Sequence, residues 1–315
     1  MMKPNQMFEY IIIYLKGLLM GAADIIPGVS GGTIALITGI YTRFIDGIKG
    51  FFDIFSKKNL KYISKGKFKK IFKSIASVDW KLFVPLILGI GTAIFTMSNL
   101  VGHLTENYRL GTYSFFFGLI IGSAFFLYKN LETKREDKGE KLISKKLVSK
   151  TKLYLSLFLG MAFSFIITQI TSTSIEPSSL STFIVGGVAI TAMILPGISG
   201  AFILVMLNHY EHVLGIVRAF DIFGIIIFAT GALLGLAIFS KGISFMLHHH
   251  EKITKVFLIG LMLGSLNYQI NIIREFGFQQ NTIITSTSLI ILGFLFVFIL
   301  GKISSSKELS KYNDY

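Results

Sequence analysis

Two apolar stretches of this chain are interrupted in the same way. IIPGVSGG occupies residues 25–32 and ILPGISGA occupies 194–201. Proline stops a helix and glycine permits a sharp reversal, so neither stretch continues through the motif as one helix. Backbone freed from helical hydrogen bonds is tolerated at membrane depth only where protein or a water-filled cavity covers it. Each break must therefore be covered by protein or line a water-filled cavity.

That the setting is a membrane follows from composition. Of 315 residues 52% are hydrophobic and only 15% charged, where a soluble protein carries about a quarter. Mean hydropathy is +0.66. Apolar runs long enough for a hydrocarbon core of about 30 Å recur along the chain. The absence of cysteine excludes disulfides, thiolate metal sites and a thiol nucleophile. The start MMKPNQMFEY lacks a basic n-region with a small-residue cleavage site, so the first apolar segment is expected to be retained. No cofactor is implied.

A net charge of +14 raises the question of nucleic acid, but its placement answers otherwise. Residues 49–81 hold ten lysines against Asp53 and Asp79, and residues 129–152 hold nine basic residues against four acids. Both flank apolar spans, where the positive-inside bias acts. They read as solvated cytoplasmic loops of a membrane protein, with no nucleic-acid partner.

Six ordinary spans are expected: 82–100, 111–128, 153–171, 222–246, 254–273 and 282–301. The two Pro-Gly segments, 8–48 and 181–217, are either single spans or hairpins that leave on the side they entered. With both basic loops cytoplasmic, a single crossing by the second segment exports Lys241, Lys252, Lys255, Lys302, Lys307 and Lys311. A hairpin keeps all six inside, and the same choice keeps Lys3 inside. The hairpin reading puts both termini in the cytoplasm.

The halves match further. GLIIGS (118–123) corresponds to GLMLGS (260–265), GTAIF (91–95) to GLAIF (235–239), and LGMAFSF (159–165) to LGFLFVF (292–298). The expected fold is an all-α polytopic membrane protein built as an inverted repeat, each half a re-entrant hairpin plus three transmembrane helices. The first repeat covers 1–171, the second 172–301, and 302–315 is a cytoplasmic tail.

Hairpin tips entering from opposite faces should meet near the midplane. After each tip a short helix begins, with unpaired N–H groups and the positive end of its dipole turned inward. Gly28, Gly31, Gly32, Gly197 and Gly200 leave room for close approach by an oxyanion. Ser30, Thr33 and Ser199 can cap the helix or donate to the same anion. Discontinuous helices in inverted halves mark a transporter's binding site. The plainer alternative is that Pro-Gly only turns the chain and serine only caps.

GVSG and GISG also fit the G-x-S-G pattern of intramembrane serine hydrolases. That chemistry needs a base beside the serine, and His103, His209, His212 and His248–His250 all fall near span ends. HHHE at 248–251 reads as a polar turn. Lys16 and Asp24 lie eight residues apart in the first incoming limb, where ionisable groups are costly and often functional. Met193 aligns with Asp24, which makes Asp24, with Lys16, a candidate for coupling to a proton or cation, or else for a buried ion pair. Arg43 and Arg218, at the outgoing ends of the hairpins, are candidates for attracting an anionic headgroup or for interfacial snorkelling.

The stretch KGLLMGAADIIPGVSGGTIALITGIY (16–41), with its second copy GGVAITAMILPGISGAFILVMLNHY (186–210), closely resembles the signature of the bacterial polyprenyl-phosphate (undecaprenyl-phosphate) translocases. The resemblance implies a lipid partner, the C55 carrier of cell-wall assembly, returned from the outer to the inner leaflet. It assigns no residues by itself. A small-anion or ion transporter of the same architecture is the alternative.

Overall fold

The computed structural model describes residues 4–25, 29–54, 75–76, 78–133, 149–169, 175–277 and 279–312. Gly28 and most of both basic loops lie outside the described residues. Among the described residues the chain forms twelve helices. The first Pro-Gly segment gives α1 (Pro4–Ile25), α2 (Gly31–Ile37) and α3 (Tyr41–Asp53), followed by α4 (Trp80–Asn107), α5 (Arg109–Thr133) and α6 (Lys150–Gln169). The second gives α7 (Ser179–Ile194), α8 (Gly200–Met206) and α9 (Tyr210–Arg218), followed by α10 (Ile222–His249), α11 (Glu251–Glu275) and α12 (Gln280–Tyr312).

Six helices, α4, α5, α6, α10, α11 and α12, are long and apolar enough to cross a membrane, and each overlaps one expected span. The protein is a multi-pass, all-helical membrane protein. Side chains such as Phe95, 87% exposed, cover its outer faces as lipid contact requires. Aspartate caps both first spans: Asp79 accepts from Leu82 N (3.2 Å) and Asp221 from Gly224 N (3.1 Å). Two helices continue beyond the apolar segments expected for them. Helix α1 begins at Pro4, since proline suits a first helical position. Helix α12 runs on through Tyr312, past the expected tail boundary, because no Pro or Gly follows Gly301 and Lys, Glu and Leu favour helix.

Between apolar helices in lipid, close backbone approach through small residues replaces the hydrophobic drive. Four helix pairs are built this way. A Cβ added to Gly17 of α1 would lie 2.3 Å from Leu86 O of α4, and one on Gly231 of α10 would lie 1.9 Å from Phe183 O of α7. Gly260 of α11 meets Leu157 O of α6 at 2.3 Å, and Gly118 of α5 meets Ile290 O of α12 at 1.9 Å, measured likewise. The matched GLIIGS and GLMLGS stretches are thus both packing faces, one on α5 and one on α11.

These contacts fix helix directions. Gly17 faces Leu86 while Gly21 faces Ile90 and Ala93, so α1 and α4 run the same way. Gly160 faces Phe257 and Gly264 faces Met161 and Ser164, so α6 and α11 also run together. At one end of the bundle the starts of α1, α3 and α4 meet: Arg43 lies 3.6 Å from Glu9 and 2.5 Å from Asp79. The far end of α10 arrives there too, with Ser244 Oγ donating to Asp46 Oδ1 of α3 at 2.6 Å. Helix α4 therefore starts where α10 finishes. In the second half α8 and α9 are bent by 108°, so they do not continue as one rod.

Candidate functional site

The two Pro-Gly breaks meet inside the bundle. Ser30, fully buried, ends the first break in extended backbone and caps α2, its Oγ accepting from Gly32 N at 3.0 Å. Its single hydroxyl proton points across to the second break, shared between Met193 O (2.9 Å) and Leu195 O (3.0 Å). In return Gly197 N donates to Thr33 Oγ1 at 3.0 Å. Residues more than 160 positions apart are thus joined tip to tip by side-chain-to-backbone bonds.

Gly32 and Gly197 permit this approach. A Cβ on Gly32 would sit 2.2 Å from Ile194 O, at the last turn of α7. Gly197 has φ +86, and a Cβ there would meet the Met262 backbone of α11 at 2.8 Å, so both conformation and space call for glycine. The first break also holds its own donors. Gly31 N donates to Asp24 Oδ1 at 2.6 Å, and Thr33 N donates to Ser30 O at 2.9 Å. In this state the start of α2 offers its amides to Asp24 and Ser30.

Lys16 and Asp24 do not pair with one another; both serve α2. Lys16 Nζ donates to Thr38 O at 2.7 Å, just beyond the last residue of α2. The carboxylate of Asp24 sits at the positive end of the α2 dipole and the ammonium of Lys16 at its negative end. Eight residues of helix rise about 12 Å, which matches the length of a seven-residue helix lying alongside. All seven residues of α2 are buried.

The second break is built differently. Met193 replaces the acid, and Ser199 caps α8 through a longer bond from Phe202 N, 3.5 Å. Only Gly200 and Ile203 of α8 are buried. Beside this tip is a cavity of about 10 Å³, lined by Gly197, Ser199, Thr168 of α6, and Ser265 and Tyr268 of α11 among others. That is room for about one water. Tyr268 also meets the rings of Phe202 and Tyr113 at 5.3 and 6.0 Å. Sequence reading missed these hydroxyls. The one available signal was that Ser265 ends a repeated motif whose counterpart ends in Ser123, both buried.

Ser30 and Ser199 are occupied with backbone partners. The buried His209 bonds instead to Ser181 Oγ (2.9 Å) and Leu207 O (2.7 Å), and His212 to Thr182 Oγ1 (3.1 Å). Both tie the outgoing end of the second hairpin to the start of α7.

Arg43 and Arg218 have different surroundings. Arg43 binds Asp79 through two nitrogens, Nε at 2.5 Å and Nη2 at 3.1 Å, and reaches Glu9 as well. Arg218 is exposed. The guanidinium hydrogen-bonded to it holds Asp79 below the ordinary carboxylate range. A depressed carboxyl contributes stability above its unfolded pKa of about 3.9 and loses it as pH falls through the folded value. Asp79→Asn retains the helix cap but not the charge pair. The variant should be less stable at neutral pH by a few tenths to about 1 kcal/mol, with the gap closing below about pH 4. Thermal unfolding of both proteins from pH 3 to 7 measures it.

The sequence profile of a family described as undecaprenyl phosphate translocase-like matches residues 20–285. A Vibrio cholerae protein named polyprenyl-phosphate transporter is 37% identical over 258 residues, covering 82% of this chain and 77% of its own. A Staphylococcus aureus protein of the same name is 33% identical over 323 residues, covering 96% and 100%. No solved structure matches.

Proposed function

This chain belongs to the undecaprenyl phosphate translocase-like family, and from that premise we propose that it carries polyprenyl phosphate across the bacterial inner membrane. The direction proposed is from outer to inner leaflet, returning the carrier lipid to envelope synthesis. The relatives are named as transporters rather than enzymes, which favours Ser30 and Ser199 as binding groups over nucleophiles.

The observation that carries this reading is the meeting of the tips: Ser30 bonded to Met193 and Leu195, and Thr33 to Gly197. A lipid phosphate needs polar partners for its head midway through the bilayer while its tail stays in lipid. We assign that role to Ser30, Gly31, Gly32, Thr33, Gly197, Ser199 and Gly200, of which Gly197 and Ser199 line the cavity shared with Thr168, Ser265 and Tyr268. Passage of a head between the tips replaces the cross-tip bonds with bonds to phosphate. The structure then corresponds to a closed state. We read the architecture as an inverted repeat of re-entrant hairpins, supported by the opposite senses of α4 and α10 and by the shared starting end of α1, α3 and α4. Arg218 fits the role of drawing a headgroup in; Arg43, already neutralised by two carboxylates, fits it less well.

In proteoliposomes carrying a labelled polyprenyl phosphate, the wild type should move the label between leaflets. Ser30→Ala combined with Ser199→Ala should lower that rate at least about tenfold, the worth of one or two lost hydrogen bonds to a charged group, while the folded yield stays the same. An unchanged rate would remove the tips from the pathway.

A further inference from the structure

Besides the glycine-packed pairs α5–α12 and α6–α11, a polar contact between α3 and α10 joins the two halves. Helix α3 lies across the last turns of α10, where Asp46 accepts from Ser244 Oγ at 2.6 Å and lies 3.4 Å from His248 Nε2. The His248 ring is held in place by Nδ1 donating to Ser244 O at 2.8 Å. About two turns further along α3, Asp53 lies 3.8 Å from Lys241, which precedes Ser244 by three residues on α10. Under this seam Ile45 and Ile48 of α3 and Ser240, Ser244 and Leu247 of α10 are buried. Most of α10 is otherwise lipid-facing, so a buried serine pair at i and i+4 marks the face that α3 covers.

Among the described residues the opposite end of the molecule lacks this contact. By the alignment of the two Pro-Gly motifs and of GTAIF with GLAIF, α9 and α4 correspond to α3 and α10. Among the described residues α9 and α4 make no comparable contact. Gly215 stands in the place of Asp46, and Leu100 and Leu104 stand in the places of Ser244 and His248. The polar seam is therefore written into one end only. Helix α3 is also mechanically tied to the tip: three residues separate it from α2, and Ile40 N bonds back to Ala35 O at 3.0 Å. Moving α3 off α10 moves α2.

We infer that the α3–α10 seam, Asp46 on Ser244 and His248 with Asp53 on Lys241, is a latch that shuts the bundle at the end where the 49–81 segment joins it, and that it opens once per transport cycle. The inference rests on the transport reading for its cycle and on the geometry alone for its closure. The half-buried hydrogen bond from Ser244 to Asp46 adds to the seam, and the more exposed Asp53–Lys241 pair adds little, so Asp46 is the deciding residue.

The chain has no cysteine, which gives a clean background. Asp46→Cys paired with Ser244→Cys, oxidised to a disulfide in proteoliposomes, should move labelled polyprenyl phosphate at less than about a tenth of the reduced rate, and reduction should restore it. Equal rates in the two states overturn the latch. A second arm needs no lipid substrate. With Ser240→Cys as reporter, a charged maleimide should label roughly tenfold faster when Asp46→Ala is added, and by a smaller factor with Lys241→Ala. No acceleration in either background overturns the closure. Should the reduced double-cysteine protein and the wild type both fail to move lipid, the transport reading falls while the labelling arm still decides the latch.

Discussion

Gly32→Ala yields a protein that inserts and forms its spans but transports polyprenyl phosphate at less than about a hundredth of the normal rate. Two effects oppose one another at this position. In a helix interior alanine is favoured over glycine by about 1 kcal/mol. Against that, the new Cβ falls 2.2 Å from Ile194 O and 3.1 Å from Ser30 Oγ. The near atom is backbone at the end of α7 and cannot rotate away, so the tips must separate, at a cost of about 1–3 kcal/mol or more. Separation also lengthens the Ser30 bonds to Met193 and Leu195. The clash wins. The second tip supplies the control, because Ala201 already occupies the position equivalent to Gly32; Ala201→Gly should be nearly silent in transport. Thermal unfolding and proteoliposome transport of both variants check this, and an active Gly32→Ala protein would mean that the tips need not touch.

Asp24 is the second position with a large effect, and two substitutions separate its roles. Asp24→Ala leaves Gly31 N without its acceptor in an apolar interior, a loss of about 1–3 kcal/mol, and removes the charge at the start of α2. It should lose both stability and transport. Asp24→Asn keeps an oxygen that can accept from Gly31 N at much the same distance, so its unfolding temperature should stay close to that of the wild type. Its transport should nonetheless fall at least about tenfold, because an amide can neither release nor take up a proton when a phosphate competes for the same donors. Full transport by Asp24→Asn would reduce Asp24 to a cap for α2 and remove it as a coupling group.

Much of the fold can be read from the chain before any coordinates. Pro27 and Pro196 interrupt otherwise continuous apolar stretches, and interruption by proline is among the few local signals that survive in a membrane segment. The spans were legible from length and hydropathy alone. Partners were not. In lipid-facing helices nearly every position is apolar, so periodicity does not tell a packed face from an exposed one; glycine spacing is the residual clue, as Gly118 and Gly260 show. The asymmetry between Asp24 and Met193 was visible, but the Gly31 amide that Asp24 holds depends on how the break folds back. Lys16 meets a carbonyl, Thr38 O, which leaves no mark in a sequence. Arg43 was read from its own position, and its partners Glu9 and Asp79 come from two other elements. The contact of Asp46 with Ser244 spans 198 positions, and the Thr168–Ser265–Tyr268 cavity draws on two helices joined by glycine packing. What is lost in each case is a long-range pairing set by helix packing.

The most direct test uses one preparation of proteoliposomes loaded with labelled inorganic phosphate and chloride, with labelled undecaprenyl phosphate in the membrane. The protein should exchange the lipid label between leaflets, Ser30→Ala with Ser199→Ala should slow that exchange at least about tenfold, and neither trapped ion should leak faster than from protein-free vesicles. Rapid release of the trapped ions with no movement of the lipid would contradict it.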